Sequence, residues 1–179
     1  MDVPGKAREV LTAAAQAAGR VLPGEHGGRA GAGPQTLTIE RPAAEVLAAC
    51  RDAAVLARLL GDLGTVEPDG PDLLRWTLRV GGGEHRVRTS LEPVPGTDGE
   101  GGVRFVGADG GGGEVAVLIT RPAPQDHGTE VRLRVDPGPV PAAVAGAAAF
   151  TVLYRLRALL QTGEVPTLGR QPSARPSPR

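Results

Sequence analysis

The chain has 179 residues, a length that suits one domain of ordinary size with some flanking sequence. Its 20 basic and 20 acidic residues cancel, which excludes a global electrostatic attraction for nucleic acids or anionic membranes. One cysteine excludes an internal disulfide, and with one Trp, one Tyr and two Phe the core must be built from Val, Leu, Ile and Ala.

The two ends of the chain differ from the middle in composition. Residues 1–22 are Ala-rich and predict one helix, and residues 23–34, PGEHGGRAGAGP, are predicted to be a linker because they offer few apolar side chains to pack. At the other end, Pro, Ser and Arg dominate, a composition typical of disorder. The sequence therefore predicts an N-terminal helix and linker at 1–35, a folded domain at 36–167 and a disordered tail at 168–179.

The folded domain begins with a strand and two short helices. The alternating segment TLTIER predicts a strand at 36–41, and Pro42 suits the first turn of the helix that continues through AAEVLAACRD. The segment AAVLARLL predicts a second helix that ends at Gly61. Arg58 and Asp62 are four residues apart and are expected to form an ion pair there.

A run of alternating strands follows, with the sequences RWTLRV, HRVRTSLEP, GGVRFVG, EVAVLITRP and TEVRLRV. Short turns rich in Gly, Asp and Pro separate them, so we predict an antiparallel meander with one apolar face and one solvated face. The solvated face is arginine-rich but lacks aromatic platforms for nucleic acid, so cross-strand pairs with acidic residues are expected. The outward arginines are Arg75, Arg79, Arg86, Arg88, Arg104, Arg132 and Arg134.

The last predicted element is a long helix of about six turns that stops at Gly163. Arg155 and Arg157 are expected to point away from its apolar side, which consists of Val144, Ala148, Val152, Leu156 and Leu159. One apolar sheet face and one apolar helix stripe predict an α+β fold with a curved antiparallel sheet wrapped around the C-terminal helix. The run 137–154 is too weakly apolar to predict a membrane span, and a cytoplasmic location is expected.

This order of elements resembles the SRPBCC superfamily, with its START-like, polyketide cyclase/dehydrase and Bet v 1-like helix-grip members. The segment TLTIERPAAEV at 36–46 is similar to the family's opening strand, proline and first helix. The segment RLRALLQTGEVPT at 155–167 is similar to the end of the long helix in a bacterial subgroup. The chain departs from that subgroup where LAACRD and HRVRTSL lack aromatic residues, which leaves either a larger cavity or a tighter collapse of helix onto sheet.

The resemblance implies a cavity between sheet and C-terminal helix for a small hydrophobic molecule such as a lipid, quinone or polyketide, with no cofactor. The same apolar side chains would serve equally well as plain core. The implied walls are Trp76, Leu78, Val87, Thr89, Leu91, Val103, Phe105, Leu133, Ala148, Val152 and Leu156.

Residues for catalysis are few. The polar candidates are Thr89, predicted to point inward, and Tyr154 on the long helix, while His85 is expected to make a salt contact with Glu84 at a hairpin edge. No metal-ligand spacing or Ser/His/Asp arrangement is present. The sequence favours a noncatalytic binding or carrier domain, with a polyketide cyclase, aromatase or dehydratase and a protein-interaction module as alternatives, and it leaves the oligomeric state open.

Overall fold

The structure is a computed structural model that describes residues 33–97, 100–110 and 112–166. The predicted N-terminal helix, most of the linker and the predicted tail lie outside the described residues. The described chain forms seven strands and three α-helices: β1 (Gln35–Ile39), α1 (Ala43–Ala49), α2 (Ala53–Leu60), β2 (Gly64–Gly70), β3 (Leu73–Val80), β4 (Gly83–Val94), β5 (Gly101–Gly107), β6 (Glu114–Pro122), β7 (Thr129–Val135) and α3 (Ala142–Thr162).

All seven strands belong to one antiparallel sheet with the order β1-β7-β6-β5-β4-β3-β2. The first strand thus pairs with the last, while β2 through β7 form a meander. Helix α3 contacts β1, β7, β3 and α2, so it lies along the inner side of the curved sheet. The predicted α+β helix-grip architecture is confirmed, including the two short helices after the first strand.

The register explains why one face of the sheet is apolar. Trp76 lies opposite Val87 between β3 and β4, and Leu118 lies opposite Leu133 between β6 and β7. Because side chains alternate along each strand, these pairs place apolar residues on the same face across the sheet. Register shifts at Pro68/Gly70 and at Phe105/Val106 mark β-bulges, which increase local twist and help the sheet to curve.

The opposite face carries ion pairs between strands. Asp69 lies between Arg75 and Arg88, and the Arg88 Nε atom is 2.7 Å from an Asp69 carboxylate oxygen. Glu114 similarly contacts both Arg104 and Arg134. All four arginine side chains are more than two fifths exposed, so these pairs individually contribute little to stability.

Strand β2 has no counterpart in the sequence prediction, which gave six strands. Its sequence GTVEPDG contains two glycines, a proline and an aspartate, residue types that are depleted in strands. Pairing with β3 nevertheless holds it at the edge of the sheet, where Pro68 is tolerated, and buries Val66. Tertiary pairing therefore overrides local propensity here.

The buried side of α3 differs in phase from the predicted stripe. Ala149, Leu153 and Leu156 are buried, whereas Val144 and Val152 are only half-buried. The helix is apolar on most of its circumference, so hydrophobicity alone does not select the side that faces the sheet. The small residues Ala145, Gly146 and Ala149 permit close approach of the sheet, and they occupy the buried side.

The prediction that Arg155 points away from the core is wrong. Its side chain is only 6% exposed, and its guanidinium donates to the carbonyl oxygens of Leu59 and Leu60 at the end of α2. A second nitrogen lies 2.6 Å from an Asp62 carboxylate oxygen, so Asp62 pairs with Arg155 and not with Arg58. The physical reason is that the last carbonyls of a helix lack intrahelical donors, and Arg155 supplies them.

The Arg155 contact also affects the titration of Asp62. The hydrogen bond from Arg155 holds the pKa of Asp62 below its ordinary value. The carboxylate therefore contributes stability that is fully present above the unfolded-state pKa and is lost as the pH falls through the lower folded-state pKa.

The run 137–154 did not predict a membrane span, but helix α3, which extends to Thr162, is long and apolar enough to cross a membrane by length and composition. One side of it is covered by the sheet and by α2. On its other side Phe150 and Tyr154 are about half exposed, at 47% and 46%. The apolar residues of α3 are therefore packed into the core on one side of the helix and partly exposed on the other.

Candidate functional site

A cavity of about 830 Å³ lies between the inner face of the sheet and α3. Leu56, Leu59 and Leu60 of α2 line it together with Cys50. The volume falls within the range of about 300–1,000 Å³ that is typical of pockets for small molecules and cofactors. Of the two alternatives for the missing aromatic residues, a larger cavity or a tighter collapse of helix onto sheet, this volume favours the larger cavity.

Nine of the eleven residues predicted as walls line this cavity: Trp76, Leu78, Val87, Thr89, Phe105, Leu133, Ala148, Val152 and Leu156. The structure places the other two, Leu91 and Val103, elsewhere in the core. Val103 is 1% exposed, and Leu91 packs against the same core cluster. Helix α1 contacts β5 and β6, and its packing fills the space at this part of the sheet.

The wall contains one fixed aromatic pair. The indole Nε1 of Trp76 donates a hydrogen bond of 2.8 Å to the Thr89 hydroxyl oxygen. The rings of Trp76 and Phe105 meet edge to face, with centroids 5.6 Å apart and planes at 81°. Thr89 is only 1% exposed, so its hydroxyl acts as an anchor that orients the indole.

Removing the Thr89 hydroxyl should leave the indole N–H of Trp76 without its partner. We expect Thr89→Val to lower the free energy of unfolding by about 1–2 kcal/mol, the usual cost of a buried donor that loses its acceptor. Trp76→Phe and the double variant complete a double-mutant cycle in urea denaturation. A coupling energy of zero between the two positions would contradict the anchoring role of Thr89.

The structure does not bring Tyr154 to the cavity. Its ring is 46% exposed on the side of α3 that faces away from the sheet, and it is not among the wall residues. The two residues considered for catalysis are therefore on opposite sides of the helix–sheet interface, because Thr89 is buried in the cavity wall.

His85 is a polar wall residue that sequence reasoning missed, as it also missed Cys50, Leu56, Leu59 and Leu60. It lies opposite Leu78 on the inner face and lines the cavity, whereas the neighbouring Glu84 contacts Arg86 at 3.0 Å. Its imidazole makes no hydrogen bond within the described part of the chain. The alternation of β4 carried the signal, since His85 precedes the inward residues Val87 and Thr89 by steps of two.

The exposed wall residues mark the mouth of the cavity. They come from the start of β4, from the β5–β6 connection and from the β7–α3 connection. In that order they are Glu84 and Arg86, then Asp109 and Gly113, then Asp136, Gly138 and Pro139. The turn between β3 and β4 approaches the last of these connections, since a Cβ atom at Gly81 would lie 3.6 Å from Val140. Three connections thus surround one polar rim.

Cys50 lines the cavity and is 2% exposed. Burial raises the pKa of its thiol to about 12, so the side chain is neutral at ordinary pH and behaves as a small apolar residue. Within residues 33–97, 100–110 and 112–166, no three His, Cys, Asp or Glu side chains cluster in a way that would hold a metal ion.

Comparison with known proteins shows a likeness of fold. No family model matches the chain, and no curated protein does. Among solved structures, DR_A0006 from Deinococcus radiodurans is similar in fold, with a TM-score of 0.52 and 24% identity over 73% of this chain and 98% of that one. Protein CV1439 from Chromobacterium violaceum has a TM-score of 0.48 and 16% identity over 70% of this chain and 94% of that one.

Proposed function

We propose that the chain is a binding or carrier domain for a small hydrophobic molecule of the lipid, quinone or polyketide-like class, and that it is a member of the SRPBCC superfamily. The observation that carries this proposal is the cavity of about 830 Å³ with predominantly apolar walls under α3. The order of elements and the segments 36–46 and 155–167 support the superfamily assignment.

The apolar walls favour an apolar occupant. The cavity is open to solvent at its mouth, so it fills with water when no ligand is bound. Water against apolar walls is displaced favourably by an apolar molecule.

The polar groups on the wall support binding in preference to chemistry. The Trp76 indole and the Thr89 hydroxyl already satisfy each other, and the Cys50 thiol is neutral. Thr89 is committed as the acceptor of the indole N–H, and neither a hydroxyl nor an indole is an effective general acid or base, so this pair fixes the shape of the wall. The function that fits is retention of an apolar ligand in unchanged form.

Filling the cavity from the helix should abolish binding. We expect Ala148→Phe to weaken ligand retention at least tenfold, because the new ring projects from α3 into the space that the ligand needs. The measurement is native mass spectrometry of the full chain after incubation with a bacterial lipid extract. The matched control is Ala143→Phe, an exposed position on the same helix that does not line the cavity.

The wild-type protein should carry a bound apolar molecule in this experiment, and the control variant should retain it. If the wild-type protein binds nothing from the extract, or if both variants bind equally, the cavity is not a ligand site and the proposal is wrong.

A second candidate function is a cyclase or dehydratase acting on a polyketide-type substrate. The observation that favours it is His85, an imidazole on the wall without a hydrogen-bond partner among the described residues. A general acid or base must reach the substrate directly or through one water molecule. The two functions differ in outcome, because a carrier releases its ligand unchanged and an enzyme returns a product of different mass.

A further inference from the structure

We infer that the ligand carries one uncharged hydrogen-bonding oxygen, which His85 recognises at the mouth of the cavity, while the apolar body lies inward toward α2. This inference rests on the proposed binding function and narrows the class of ligand. It applies to alcohols and ketones with a large apolar body, and it disfavours fatty acids and pure hydrocarbons.

The position of His85 determines the orientation of the ligand. The residue is half-buried near the β3–β4 turn, and its Nε2 atom would lie 3.4 Å from a Cβ atom at Gly83. Deeper in the cavity, the same face of β4 continues with Val87 and then Thr89, whose hydroxyl is already bonded to Trp76. The imidazole is thus the accessible polar side chain between the charged rim and the apolar interior.

The part of the wall that α2 forms offers an apolar body no polar competition. Leu56, Leu59 and Leu60 line it, and the thiol of Cys50 remains protonated there because of its burial. A ligand oxygen placed against these side chains would lose its hydrogen bonds to water without replacement, which costs about 1–3 kcal/mol in proteins. The polar atom of the ligand is therefore expected at His85.

The described rim offers no free cation to an anionic headgroup. Its arginines are already paired with acidic residues, since Arg86 contacts Glu84 at 3.0 Å and Arg88 contacts Asp109 at 3.0 Å. Glu114 is likewise paired, with Arg104 and Arg134 on the outer face of the sheet.

A carboxylate or phosphate in this position would find no uncommitted guanidinium among the described rim residues. A neutral oxygen needs no cationic partner. It requires only one hydrogen bond, which an imidazole provides as either donor or acceptor.

The test compares three probes with the same apolar chain: dodecanol, dodecane and dodecanoate. Binding to the full chain is measured by native mass spectrometry and by competition with the ligand retained from lipid extract. The wild-type protein should bind the alcohol about fivefold more tightly than the alkane, the usual net gain from one hydrogen bond. It should bind the alcohol more tightly than the carboxylate as well.

Replacement of His85 separates recognition from simple packing. His85→Leu should remove the preference for the alcohol over the alkane, and His85→Gln, which keeps a donor and an acceptor, should retain most of it. His127→Leu is the matched control, because His127 is exposed in the turn before β7 and does not line the cavity. If His85→Leu does not fold, His85→Phe takes its place in the comparison.

The outcomes distinguish this inference from the proposed function. Equal binding of alcohol and alkane by the wild-type protein, a preference that persists in His85→Leu, or tightest binding of dodecanoate would each overturn the role of His85 while leaving a hydrophobic ligand site in place. Failure to bind any probe or any extract component would overturn the proposed function and the inference together.

Discussion

Arg155→Met is expected to lower the free energy of unfolding by about 3 kcal/mol, a cost typical of removing one partner from a buried hydrogen-bonded charge. The guanidinium is the donor for the carbonyl oxygens of Leu59 and Leu60, and methionine fills similar space without any donor. Both carbonyl groups would lose partners at a helix end that is packed against α3. The measurement is the midpoint and slope of urea denaturation.

Two features limit the size of this effect. The Nε atom of Arg155 is buried without a hydrogen-bond partner among the described residues, so its removal recovers some desolvation energy. The carboxylate of Asp62 is 78% exposed and would be rehydrated. The control is Arg58→Met, an exposed position in the last turn of α2, which should change stability by no more than about 0.5 kcal/mol. Equal losses in both variants would show that the contacts of Arg155 are not stabilising.

Gly128→Ala is expected to cost about 4 kcal/mol, which combines left-handed backbone strain with overpacking. Gly128 precedes β7 and has a φ of +91°. A Cβ atom there would lie 2.7 Å from the Glu40 Cα atom and 2.8 Å from the Arg41 amide nitrogen, just after β1. Backbone atoms cannot rotate aside as side chains do, so the contact between the first and last strands would have to open.

The comparison with Gly82→Ala isolates the steric part of this cost. Gly82 also has a positive φ, of +81°, but a Cβ atom there would meet no heavy atom within 4 Å. Its replacement should therefore cost only about 1–2 kcal/mol, the penalty for an L-residue in the left-handed region. Thermal unfolding of both variants by circular dichroism measures the difference. Similar melting temperatures would mean that the junction between β1 and β7 is looser than the structure indicates.

Periodicity predicted the architecture because the two-residue repeat of the strands is strong in this chain, whereas the weak apolar stripe of α3 predicted a helix but not its buried side. The alternation in TEVRLRV and in RWTLRV placed Val131, Leu133 and Trp76 on the inner face, where the register puts them. The alternation of β4 also predicts an inward side chain at His85, but the adjacent Glu84 suggested a surface ion pair instead. The two-residue period was therefore a better guide to the direction of this side chain than the charge of its neighbour in sequence.

Other features depended on contacts that no local pattern encodes. The glycine and proline content of β2 argues against a strand, and only its pairing with β3 makes one. The sequence around Arg155 gives no reason to bury a charge. Its partners are the carbonyl groups of residues more than 90 positions earlier in the chain, which only the docking of α2 against α3 brings close.

The location of Trp76 has a practical consequence. It is the single tryptophan of the chain, and its indole forms part of the cavity wall with its N–H held by Thr89. Fluorescence excited selectively in tryptophan therefore reports on the cavity wall alone. A ligand that displaces water from the ring face should shift the emission wavelength, so ligand binding can be followed without an added label.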